Sequence, residues 1–210
     1  MKMKKLMLVL CIGYTLAGCN GGNKENALFE TPMKTTLDAC VASVPNANNN
    51  ELTRSVLADT ITACFQTYRG KTLAQLNQLP CEYEMSMEYP DYVFDFIDST
   101  ISGKYVVKFN YSNSYSTTEK MSDDYCVMLQ VFAMVEKEVA MQLVEGEKYY
   151  ISGTFHDFAN CSKETGFKLP SGDCIKSYPS VTKLDNILSI SLGTIVLDNI
   201  SFKKVSVETK

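Results

Sequence analysis

Two periodicities divide the chain. Between residues 35 and 80 the apolar positions recur at helical spacing, and beyond 81 they alternate. Residues 35–44 form a short candidate helix. The stretch PNANNN at 45–50 is rich in breakers. Asn50 is placed to cap a second helix over 51–68. Leu57, Ile61, Cys64, Phe65 and Tyr68 fall on one face of it, and Gly70 suits its end. A last short turn, 72–79, stops at Pro80. Cys40 and Cys64 can staple the two helices into a hairpin.

From Cys81 the period becomes two. Tyr83, Met85, Met87 and Tyr89 share one face, and Glu84, Ser86 and Glu88 the other. Segments 92–97 and 104–111 read as strands, the second alternating Tyr105, Val107, Phe109, Tyr111 with Val106, Lys108, Asn110. Residues 112–124 are a polar loop, and 125–135 is a strongly apolar strand. The segment 139–144 is of uncertain type. Gly146-Glu147 turns into a strand over 148–158, and two more strands follow at 187–192 and 194–207. About seven strands stand against two or three helices. The class is α+β, mainly β: an antiparallel barrel or sandwich preceded by a helical hairpin.

The first nineteen residues have a different character. Lys2, Lys4 and Lys5 precede an apolar run from Leu6 to Leu16, broken only at Gly13, Tyr14 and Thr15. That run is too short for a ~30 Å hydrocarbon core, which takes about 20 residues. A basic start, a short apolar core and small residues at its end mark a cleaved export signal. Leu16-Ala17-Gly18-Cys19 resembles the lipobox of bacterial lipoproteins. The resemblance implies cleavage after residue 18 and a thioether-linked diacylglyceryl group on Cys19, the lipid-attachment residue. Two or three acyl chains on one residue anchor firmly, because each buried CH₂ contributes roughly 0.8 kcal/mol. Asn20, where an Asp resembles an inner-membrane retention signal, tilts the expectation to the outer membrane, facing the periplasm or the exterior. Residues 19–34 then form the lipidated start and a flexible tether, 35–80 a helical segment, and 81–210 a β domain packed on it.

A second resemblance lies further along. LVEGEKYYISGTFHDF, with ISLGTIVLDNISF after it, is similar to the late strands of small OB-like barrels in exported bacterial proteins. There one Gly precedes a strand and another lies within it, allowing sharp coiling. TIVLDNISFKKV also resembles the last strand of jelly-roll carbohydrate-binding modules. The resemblances imply an OB-like barrel, with a jelly-roll sandwich as the alternative.

The anchor reading changes the charge. The signal holds three of the twenty basic residues and none of the twenty-four acidic ones, so the net charge moves from −4 to −7. So acidic a chain is a poor partner for phosphate backbones, which disfavours nucleic acid. The reading also sorts the cysteines. Cys11 leaves with the signal and Cys19 is lipidated, leaving Cys40, Cys64, Cys81, Cys126, Cys161 and Cys174. An even set in an exported chain reads as disulfides. Cys161–Cys174 is the first choice, closing a loop with Gly166, Pro170 and Gly172; Cys40–Cys64 and Cys81–Cys126 follow. One histidine and no C-x-x-C argue against a metal site, and nothing asks for a cofactor.

Chemistry-bearing residues are sparse. His156 is the sole histidine, and period-two geometry turns it away from Asp157. Asp91, Asp95 and Asp98, with Asp123 and Asp124, allow a carboxylate pair or a calcium site but read more simply as solvated positions. Twelve tyrosines and no tryptophan suggest a binding face. Its members are Tyr111, Tyr115, Tyr125, Tyr149 and Tyr150. The expectation is a lipid-anchored, non-enzymatic protein that binds an envelope protein partner, in one version as an immunity- or inhibitor-type protein. The alternatives are a carbohydrate- or ligand-binding module and an enzyme using His156 or a carboxylate pair.

Overall fold

The computed structural model describes residues 31–88, 104–113, 125–159, 178–184 and 187–206. The expected export signal with Cys19, the segment 92–97 expected to be a strand, the aspartates at 91, 95, 98, 123 and 124, Tyr115, and Cys161 with Cys174 lie outside the described residues.

Helix α1 spans Pro32–Ser43. Thr31 caps it: its side-chain oxygen accepts from the Lys34 backbone N–H at 3.2 Å, and Pro32 fits the first turn. The helix therefore starts earlier than position 35, inside the stretch expected to be tether. Helix α2 spans Glu51–Gln66. Asn50 and Thr53 cap it reciprocally: each side-chain oxygen accepts from the other's backbone N–H, at 3.0 and 3.3 Å. It buries Leu57, Ile61 and Phe65, as the spacing predicted. The chain leaves it through Gly70, whose φ of 72° favours glycine, and makes one 3₁₀ turn at Ala74–Leu76.

The strands are β1 (Pro80–Glu88), β2 (Lys104–Ser112), β3 (Tyr125–Glu136), β4 (Lys148–Phe158), β5 (Ser180–Leu184) and β6 (Ile187–Lys204). A one-turn helix α3, Lys137–Ala140, joins β3 to β4. The sheet runs β3-β2-β1-β4-β6-β5, and β3 also pairs with β6. That last pairing is parallel and closes five strands into a ring. β5 lies outside the ring, antiparallel to the start of β6. The class is α+β, mainly β, and the architecture is an OB-like barrel preceded by helices. The strands form one sheet closed on itself, unlike the two facing sheets of a jelly roll.

Three local features differ from expectation. β6 is one strand where two were expected: Gly193, at φ 70°, carries the chain through while the register with β3 slips between Met128 and Gln130. β5 was not foreseen. A bulge at Glu84 breaks the expected Tyr83–Met85–Met87 face. Tyr83 pairs with Phe109, but Met85 pairs with Lys108, so the alternation changes sides.

The ring's interior and the apolar faces of both helices form one continuous core. Tyr83, Phe109, Tyr149 and Phe202, from four strands, meet there with ring centroids 5.5–6.4 Å apart. Phe65 of α2 meets Phe158 of β4 at 6.5 Å, joining helix to barrel. The α2 exit also runs along β4: Gly70 and Leu73 donate backbone hydrogen bonds to Phe155 and Gly153, and Phe155 donates to Lys71. β4 in turn crosses β6 closely at Gly153. A Cβ there would lie 3.1 Å from both the Asp198 carbonyl oxygen and the Leu197 Cβ.

Candidate functional site

The tyrosine face expected from sequence is mostly core. Tyr111, Tyr125 and Tyr149 are buried. Each points into the ring, and two satisfy their hydroxyls locally. Tyr125 donates to Asp38 Oδ1 at 2.7 Å, tying β3 to α1. The Tyr149 hydroxyl accepts from the Val144 backbone N–H at 3.0 Å. Tyr150 alone of the described set faces outward, because alternation turns it opposite to Tyr149.

Tyr150 lines a shallow open depression of about 320 Å³ on the outer side of β4 and β6. Register builds it: Tyr150 stands opposite Lys203, and Ser152 opposite Ser201. Asn77, just after the 3₁₀ turn, adds a wall. One broad aromatic ring is thus flanked by two hydroxyls, an amide and an ammonium.

The same outer strip continues to His156. Its Nδ1 lies 2.8 Å from Asp198 Oδ2, a partner 42 residues away that sequence reasoning missed. Asp157 instead pairs with the Arg69 guanidinium at the end of α2, and Arg69 Nε donates to the His156 carbonyl at 3.2 Å. His156 and Asp157 engage different groups, but not through the alternation expected: β4 bulges between Phe155 and Asp157, and both polar side chains are partly exposed between the buried Phe155 and Phe158. Lys204 and Glu147 form a further ion pair at 3.1 Å beyond the depression. The strip carries both signs, and these charges are largely matched with one another.

A second polar track crosses the outer side of β1, β2 and β3. Lys108 is buried and ion-paired with Glu84, and the Asn110 amide donates to the same carboxylate. Asn110 Oδ1 is buried without a hydrogen-bond partner. Thr194 donates to Gln130 Oε1 at 3.2 Å on the neighbouring strands. Sequence placed Lys108 on an alternating face but gave no sign of its burial, because the bulge at Glu84 delivers the counter-charge.

None of the four described candidate disulfide cysteines, Cys40, Cys64, Cys81 and Cys126, is in a disulfide. Cys81–Cys126 fails on geometry. Cys81 belongs to the barrel core, whereas Cys126 lies between inward-facing Tyr125 and Val127 and so points to the outer side. Burial pushes the Cys81 thiol up to about 12. Beside Cys40, whose side chain favours the thiolate, the Cys64 thiol is lowered from 9.0 to about 7 against the opposing effect of burial. Among the described residues, no group of three or more histidine, cysteine or acidic side chains is placed to hold a metal ion, and no helix is long and apolar enough to cross a membrane. No family model and no curated protein matches this chain.

Proposed function

We propose that the chain is an envelope lipoprotein, held to the bilayer through acylated Cys19, whose barrel is a non-enzymatic module for a protein partner. The β4–β6 strip carries this reading. Its depression is open and shallow, unlike the enclosing clefts that bury most of a small ligand. Tyr150 offers the kind of rigid amphipathic anchor that concentrates binding energy at protein interfaces. The His156–Asp198, Arg69–Asp157 and Lys204–Glu147 pairs beside it are matched within the chain, so a partner need not supply counter-charges for them. The surplus of negative charge suits a basic partner, and an immunity- or inhibitor-type role is one form of this.

A photo-cross-linking residue at position 201, in the native envelope, tests the site. A discrete protein adduct that is lost on Tyr150→Ala supports the proposal. No adduct at native abundance overturns it. The anchor is tested separately by intact mass: membrane-extracted protein should lack residues 1–18 and carry lipid on Cys19, and an unlipidated Cys19 refutes that part.

A glycan is the second reading, favoured by the Tyr150 ring beside the Ser152 and Ser201 hydroxyls. Glycan-array binding that disappears in Tyr150→Ala supports it, and an array without hits removes it.

A further inference from the structure

Lys148, Lys203 and Lys204 gather at the end of the barrel where β4 begins and β6 stops. Two of them face an acid. Lys204 pairs with Glu147 at 3.1 Å. Lys148 stands directly opposite Glu82 of β1, a favourable cross-strand arrangement. Lys203 stands opposite Tyr150 instead, with Lys148 and Ser152 as its diagonal neighbours on β4. The pairing of β3 with β6 ends at Leu197, so no described strand flanks Lys203 on its other edge. Lys203 is exposed, and among the described residues it has no ion-pair partner.

That ammonium belongs to the depression lined by Asn77, Tyr150, Ser152 and Ser201, and Lys203 is the one charged residue among the described lining. On an open surface water solvates it. A partner that covers the Tyr150 ring strips that water away, and a buried ammonium without a counter-charge is strongly unfavourable. The chain's surplus of acids does not relieve this, because salt screens exposed charges beyond about 8 Å.

We propose that the partner supplies one carboxylate here, an aspartate or glutamate side chain that pairs with the Lys203 ammonium beside the Tyr150 ring. The rest of the lining suits the same group. The Ser152 and Ser201 hydroxyls and the Asn77 amide can all donate, and an ionised carboxylate only accepts. A phosphate group matches less well, since it carries about −1.5 to −2 charge against a single ammonium. A partner that is basic overall, as the acidity of this chain favours, thus carries one acid at the contact, and Lys203 fixes the register in which it docks. The pairing rests on the reading of this depression as the docking site; what it adds is the chemical group the partner must present.

The test treats native membranes holding the full chain with a water-soluble carbodiimide, which joins an amine to a carboxyl in contact with it. Lys203 Nζ attacks the activated carboxyl carbon, an amide forms, and the reagent leaves as a urea carrying the oxygen that the carboxyl loses. Peptide mapping should show Lys203 joined to an aspartate or glutamate of another protein. Glu147 and Lys204, already in contact, give a link within the chain as the internal control. The position-201 photo-adduct is read alongside. Lys203→Met should lower its yield about ten-fold, whereas Lys148→Met, the same change in net charge, should lower it by at most about three-fold. A photo-adduct that persists while Lys203 is joined to nothing, to a carboxyl of its own chain or to a carbohydrate overturns the carboxylate and leaves the docking reading standing. Equal effects of the two methionine variants do the same. A wild-type envelope without the photo-adduct overturns both. Both lysines are exposed, so neither substitution touches the core, and the wild-type map decides by itself.

Discussion

Phe109 is the most informative single position in the barrel. It is fully buried on β2, and its ring meets Tyr83 of β1 at 5.5 Å, Tyr149 of β4 at 6.0 Å and Phe202 of β6 at 6.4 Å. Four strands thus converge on one side chain. Phe109→Ala removes the transfer energy of a buried ring and leaves a cavity, a loss of about 3–5 kcal/mol. Phe109→Leu keeps most of the volume and forfeits the aromatic pairs, each worth about 0.5–1.5 kcal/mol. A domain of this size is stable by about 5–15 kcal/mol in all, so the alanine variant should be severely weakened. At about 2–4 °C per kcal/mol, its Tm should fall by roughly 6–20 °C. Urea unfolding followed by circular dichroism reads the change as a lower midpoint at constant slope. Combining Phe109→Ala with Phe202→Ala should cost less than the two singly, because both empty one cluster. A Phe109→Ala loss below about 1 kcal/mol, at unchanged slope, would refute a ring closed around these aromatics.

Three further outcomes follow from local geometry. Gly153→Ala forces a methyl against the Asp198 carbonyl and Leu197, and should destabilise by about 1–3 kcal/mol in the same urea assay; a neutral result would mean that β4 and β6 do not cross there. Asn50→Ala removes one half of the α2 capping box and should cost about 1 kcal/mol, with Asn50→Gly nearer neutral, as measured by thermal melts. Cys81 titrates in alkali: below pH 9 both folded and unfolded states hold a neutral thiol, but between 9 and about 12 only the unfolded state ionises it. Its contribution to stability is therefore lost as pH rises through that window, by about 1.4 kcal/mol per unit, and Cys81→Ala should flatten the wild-type slope; equal slopes would contradict the burial of this thiol.

The helices were legible because their signals are local. Asn50 and Thr53 sit three apart, and Leu57, Ile61 and Phe65 repeat every four. Thr31-Pro32 carried the same kind of signal for α1, yet its place within the stretch expected to be tether hid it. The strands were legible as alternation, but their partners were not. The bulge at Glu84 exists because β1 must match β2, and no residue of β1 alone reports it. Tyrosine misled for a related reason. A ring can sit wholly in the core when its hydroxyl finds Asp38 or the Val144 N–H at the rim. Tyr149 and Tyr150 are adjacent on a strand, so only one could face solvent, and sequence had no means of choosing. The His156–Asp198 contact needed the β4–β6 register, which lies beyond any local pattern.

The parallel closure of β3 on β6 also sets the order of assembly. Tyr125 pairs with Leu188 and Ala133 with Leu197, separations of 63 and 64 residues. Contacts so distant along the chain pay loop-closure entropy before they return any packing, which slows folding. β1, β2 and β3 can associate as neighbours, but β3 keeps an open edge until residue 188 and its neighbours arrive. A chain halted before that point presents bare strand to every other such chain, the condition that seeds aggregation. A growing chain therefore carries an unpaired β3 edge until residues 188–197 arrive and β6 locks the ring.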